Sequence, residues 1–344
     1  MFKGLLAGLM LVIVSELFAV EPMLFQNDNI INLEISGDFN AIRKGKRESK
    51  LKRAYHPISI VQNDLAKGLS SAILAHAQVR GENRLKKCEF PPLRIDLKKG
   101  ENMDTSIFKN AKKVKMVTQC NKKNRSQWVH REYVIYKIYE LLGNLSFKTK
   151  PANVTFRNRS ESDFGTLNGS IYDQQFTFML ENVTQVGKRN GNLENLKIDE
   201  YKKSQVESYE LSKIYLFNYL IGNHDTEISK DDVRNVELYQ DSITKKVYPV
   251  PYDFDYSMFV RKAGKIHYKS FIGQICNFDH ELYKVRPIFI HNKTKIFNVV
   301  NDTPYLDELE KTNIKESFTE FFRRIENDKA FDKIVKNSER CMEG

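Results

Sequence analysis

Ile221-Gly222-Asn223-His224-Asp225, then Arg234-Asn235-Val236-Glu237-Leu238-Tyr239, then Val250-Pro251-Tyr252-Asp253-Phe254-Asp255: this stretch decides how the chain reads. Each run sets acidic or amide groups at the end of an apolar segment. Carboxylates in such places are costly unless paired, hydrated or bound to a cation. On extended backbone Asp253 and Asp255 point to the same side. Two such charges about 6 Å apart repel by ~3 kcal/mol at an effective dielectric of about 20. A divalent cation removes that penalty, and hard oxygen donors with an Asn carbonyl suit Mg2+ or Mn2+ beside a phosphate. Asn235, Asp253 and Asp255 are the expected metal ligands. Solvated or lysine-paired loop carboxylates are the alternative.

The flanks divide in two. From Ser208 to Leu220 the apolar residues Tyr209, Leu211, Ile214, Tyr215, Phe217 and Leu220 predict an amphipathic helix. Val236–Tyr239 and Val247–Val250 read as a short hairpin, and Ile314–Val335 as a helix. Upstream the chain is strand-rich. Ile30–Ile35, Ile58–Val61, Ala72–Val79, Leu93–Leu97, Lys113–Val117, Ala152–Phe156 and Gln175–Leu180 are the candidate strands. A helix over Trp128–Leu142 interrupts them and stops at Gly143. The reading is α+β: a strand-rich half over 20–181 with one main helix, and a mostly helical half over 182–344 with its catalytic-type loop at 222–255.

Gly-Asn-X-Asp, then Asn ahead of a Leu-Tyr strand, then Pro-X-Asp-X-Asp resembles the CotH-like secreted kinases. It looks closer still to uncharacterised exported bacterial proteins related to them. Val79-Arg80-Gly81, Cys88–Arg94, Lys113–Val117, Arg131-Glu132-Tyr133 and Phe178–Glu181 extend the likeness over roughly residues 70–260. The resemblance implies a two-lobed, protein-kinase-like fold with ATP between the lobes. It implies that Lys115 (Lys113 in reserve) meets phosphate and pairs with Glu132, with Arg80 and Glu181 also on the nucleotide. Asp225 would orient or deprotonate an acceptor hydroxyl on an exported protein or small molecule, and Asn235, Asp253 and Asp255 would hold Mg2+. The sequence departs from the kinase pattern in having no Asp-Phe-Gly and in a ten-residue step from Asp225 to Asn235. A non-catalytic envelope or secreted binding protein with the same shell is therefore the alternative.

Residues 1–19 read as a signal peptide, with Lys3 ahead of the apolar run Leu5–Val14. The expected product is periplasmic or secreted, without a membrane span. Net charge is +11, which favours anionic partners, but no stacking-aromatic module accompanies the basic run Arg43–Arg53, so that run reads as a solvated loop and nucleic acid is not expected. Four cysteines, none in a Cys-X-X-Cys spacing, argue against zinc and permit two disulfides. Cys88 with Cys120 is the first choice, leaving Cys276 with Cys341.

Overall fold

Alternation of apolar and polar residues builds the first half of the molecule. The computed structural model describes residues 22–62, 72–81, 83–88, 90–97, 106–120, 126–159, 168–197, 200–228, 233–268 and 281–340. The segment read as a signal peptide, and Cys276 and Cys341, lie outside these residues. The strands are β1 (Ile31–Gly37), β2 (His56–Gln62), β3 (Ala72–Val79), β4 (Leu93–Asp96), β5 (Lys113–Val117), β6 (Thr149–Asn158) and β7 (Asn168–Leu180). Among them run the helices α1 (Phe39–Lys44), α2 (Asn83–Lys87) and α3 (Trp128–Glu140). The strands form a closed barrel in the order β1-β2-β3-β4-β5-β7-β6. It closes where β6 lies parallel to β1, with Ile31 opposite Ala152 and Gly37 opposite Asn158. The other neighbours pair antiparallel.

Inward positions at period two carry Leu33, Ile35, Ile58, Ile60, Ile73, Ala75, Ile95, Val114 and Met116, all buried. Phe39 of α1, Phe90 and Phe156 meet at ring-centroid distances of 4.6 to 5.5 Å. Each fully buried Phe contributes roughly 1.5–3 kcal/mol. These side chains give the barrel an apolar core of its own.

This closed seven-strand barrel overturns the expected two-lobed, protein-kinase-like fold, which would have a strand-rich N-lobe with one main helix. The parallel seam decides the matter. It joins strands more than a hundred residues apart, and no local pattern carries that pairing.

The second half contains α4 (Val183–Arg189), β8 (Glu194–Leu196), α5 (Ser208–Ile221), β9 (Glu227–Ile228), β10 (Val233–Arg234), β11 (Val236–Gln240), β12 (Val247–Pro251), α6 (Met258–Arg261), α7 (Leu282–His291), α8 (Lys293–Asp302), α9 (Glu308–Glu326) and α10 (Asp328–Arg340). The helix expected over Ile314–Val335 is thus two helices. Asn327, with ψ 116°, leaves helical space between them. The central helix, α5, is apolar nearly all round, and every residue from Leu211 to Ile221 is buried. It ends at Gly222, in the left-handed region at φ 62°, where a Cβ would meet Met258 Cβ at 2.9 Å. One apolar cluster runs from Val117, Phe176, Phe178 and Leu180 on the barrel through α3 to α5, α7 and α9.

Cys88, directly after α2, and Cys120, beyond β5, form a disulfide with their Cα atoms 4.8 Å apart. That bond is compatible with an exported protein. Among the described residues no helix is long and apolar enough to cross a membrane.

Candidate functional site

Register places cations side by side on the outer face of the barrel. Leu93, Ile95, Val114 and Met116 are buried inside, so Arg94 and Lys115 turn outward, and the β4–β5 ladder sets them directly opposite each other. Like charges in that position destabilise a sheet. Arg80 adds a third charge just beyond β3, where its backbone N–H donates to the Pro92 carbonyl at 2.8 Å. Arg53 Nη1 donates to the carbonyl of Gly81 at 3.0 Å, and Gly81 sits at φ 83°. Burial pushes the Lys115 ammonium down to about 8, the Arg80 charge adds to the fall, and Glu237 opposes it. Lys115 Nζ lies 3.5 Å from Glu237 Oε1 and 4.9 Å from the centroid of the Tyr252 ring.

The acidic residues come from the loop after α5 and from the two ends of the β11–β12 hairpin. Pairing of Val236 with Pro251 brings Asn235 beside Tyr252, whose N–H donates to the Asn235 carbonyl at 2.9 Å. Asn235 adopts φ 57°, a conformation Asn tolerates better than most residues. Its Nδ2 donates to Asp225 Oδ2 at 2.8 Å and to the Asp225 carbonyl at 2.6 Å. Asn223 Oδ1 accepts from the Asp225 N–H at 3.2 Å, and Arg234 Nη1 is 3.5 Å from Asp225 Oδ1.

The extended backbone expected at Asp253 and Asp255 is not found. Asp253 is left-handed, at φ 59° and ψ 61°, and Asp255 sits in the 3-10 turn Phe254–Tyr256. Two contacts hold this kink: the Tyr136 hydroxyl accepts from the Asp253 N–H at 2.9 Å, and Phe254 is fully buried. Burial raises the Asp253 carboxyl above its usual range, and the charge of Asp255 pushes it the same way.

Glu132 does not pair with Lys115. Its partner is Arg84 on α2, whose Nη2 donates to Glu132 Oε2 while its Nε donates to Asp255 Oδ2 at 2.9 Å. Burial lifts the Glu132 carboxyl above the ordinary carboxylate range against the pull of the guanidinium, and Arg84 stays fully charged between the two acids.

These residues line one cavity of about 500 Å³. Of the residues singled out in the sequence, Asp225, Asn235, Asp253, Asp255, Lys115, Glu132 and Arg80 all lie on its wall. Glu181 does not. It is buried against Arg189, whose Nη2 lies 2.9 Å from Glu181 Oε2, and it accepts the Lys148 N–H, which anchors the end of β7. Lys113 is held away on Asp96 at 3.2 Å. The sequence reading missed Arg84, Arg94, Glu237 and Tyr252 as lining groups. It also missed Lys50 and Arg53, whose basic run reaches the wall rather than forming only a solvated loop. Alternation along β4 was the one signal that could have shown Arg94 on the same face as Lys115.

A divalent cation on Asn235, Asp253 and Asp255 needs their oxygens turned to one point. Asp255 instead gives its Oδ2 to a guanidinium, while Asn235 uses only its Nδ2 on Asp225. Among the described residues no three His, Cys, Asp or Glu side chains gather as a metal-binding group. As arranged, the Arg84 guanidinium rather than a metal holds the Asp255 carboxylate. No known protein-family model matches this chain, and no curated protein does.

Proposed function

We propose that this exported protein binds a phosphate-bearing ligand of the nucleotide class and transfers a phosphoryl group from it to a hydroxyl held by Asp225. The observation that carries the reading is the Arg94–Lys115 cross-strand pair, flanked by Arg80, on a cavity whose other wall holds Asp225. Cations forced together on a sheet raise its energy, and an anion between them relieves the repulsion. Phosphoryl transfer needs positioning and charge neutralisation more than covalent help from the protein.

In this mechanism Arg80, Arg94 and Lys115 hold the phosphate oxygens. Asn235 fixes one oxygen of the Asp225 carboxylate, and the acceptor hydroxyl takes the other in place of the 3.5 Å Arg234 contact. The hydroxyl oxygen attacks phosphorus, and its proton passes to Asp225. The bond from phosphorus to the leaving oxygen breaks, and its electron pair departs with the leaving group. Loss of such a base costs about 10²–10⁴ in rate. Asp225→Ala is therefore expected to abolish transfer from radiolabelled ATP to protein or small-molecule acceptors while preserving a melting-temperature rise with ATP. Transfer undiminished in Asp225→Ala would overturn the assignment.

A second reading, binding without transfer, is favoured by the Asn235 and Arg234 contacts that already engage Asp225. It predicts the same melting-temperature rise and no labelled product from the wild-type protein.

A further inference from the structure

The cavity carries a cation of its own. The Arg84 side chain is 12% exposed and bridges Glu132 on α3 to Asp255 in the turn after β12. Three separate parts of the fold thus converge on one guanidinium. Lys87, on the same short helix, reaches the Tyr256 hydroxyl at 3.0 Å, so α2 is held against this turn at two points.

We infer that Arg84 is the resident counter-ion of this site, standing where a divalent cation would otherwise be needed, and that the cavity takes phosphate groups without a metal. The inference rests on the ligand class proposed above.

The chemistry argues for exchange of one cation for the other rather than coexistence. A metal bound through Asp255 Oδ2 would displace Arg84 Nε, leaving a buried guanidinium with one carboxylate instead of two. A guanidinium keeps its charge at any working pH and presents several donors in a plane, so it can satisfy two acids and still face a phosphate. Mg2+ binds through one or two carboxylates together with waters and substrate phosphates, and here the Arg84 guanidinium already holds one oxygen of Asp255 and one of Glu132. The remaining phosphate charge falls to Arg80, Arg94 and Lys115, which come from the barrel and not from the acidic loop.

Two titrations on the intact protein test this. Mn2+ binding, followed by electron paramagnetic resonance without any nucleotide, is expected to be no tighter than about millimolar in the wild type. It should tighten by about tenfold or more in Arg84→Gln, where Glu132, Asp253 and Asp255 lose their counter-ion. Arg84→Lys, which keeps the charge, should resemble the wild type. Pyrophosphate affinity, measured by calorimetry, should change by less than about threefold between EDTA and Mg2+ in the wild type. Micromolar Mn2+ binding by the wild type, or loss of pyrophosphate binding in EDTA, overturns the inference. If Arg84→Gln does not fold, the wild-type arms decide alone. Absence of pyrophosphate binding in both buffers would sink the ligand class, and the Mn2+ arm would still decide the role of Arg84.

Discussion

Lys115 sets the pH range over which the cavity can hold an anion. Its ammonium is pushed down to about 8 by burial and by Arg80, so it is charged at neutral pH and loses its proton well before an exposed lysine would. Phosphate affinity should therefore fall several-fold between about pH 7 and 9. Calorimetry with pyrophosphate across that range checks this. Lys115→Met should be weak and flat, and Lys115→Arg should keep its affinity at the alkaline end. Stability runs the other way. The unfolded chain holds this proton up to its ordinary 10.5, so Lys115 opposes folding below about 8, and that penalty is relieved as pH rises between the two values. Some of these residues were legible and some were not. Asp225 and Asn235 stood out because they end apolar runs. Arg84 did not, because in Asn83-Arg84-Leu85-Lys86-Lys87 it is one basic residue among several, and only the fold shows which one turns toward Glu132 and Asp255.

At the scale of elements, the disulfide joins the two segments that carry the cations. Cys88 follows α2, which bears Arg84, and Cys120 follows β5, which bears Lys115. A bond closing a loop of sequence separation 32 removes unfolded-state entropy worth ~3–4 kcal/mol. Cys88→Ser with Cys120→Ser should lower the urea midpoint accordingly and weaken pyrophosphate binding, because α2 would lose one of its anchors. An unchanged affinity would show that the Arg84 bridge and the Lys87–Tyr256 contact suffice. Strands such as Lys113–Val117 were readable because one face must be apolar wherever a sheet covers a core. The Asp253-Phe254-Asp255 segment was misread because its conformation is imposed from outside, by the Tyr136 hydroxyl and by burial of Phe254. A period-two rule sees neither.

For the whole molecule, the alternating pattern named strands but not their neighbours. Hairpin pairs such as β11 with β12 follow from chain proximity, and the order of the barrel does not. The β1–β6 seam is long-range and parallel, and pairings of that kind form late because loop closure must precede any gain. In pulse-labelled hydrogen exchange during refolding, amides of the β11–β12 hairpin should gain protection before those between Ile31–Gly37 and Ala152–Asn158. Simultaneous protection would contradict this order.

The seam also has a consequence for the living cell. A chain that emerges amino end first offers β1 long before β6 exists, so one edge of the nascent sheet stays open while the intervening strands and α3 are still being made. That edge is a template for any passing strand. The interval between the two strands is thus the period in which the chain most needs a holding chaperone.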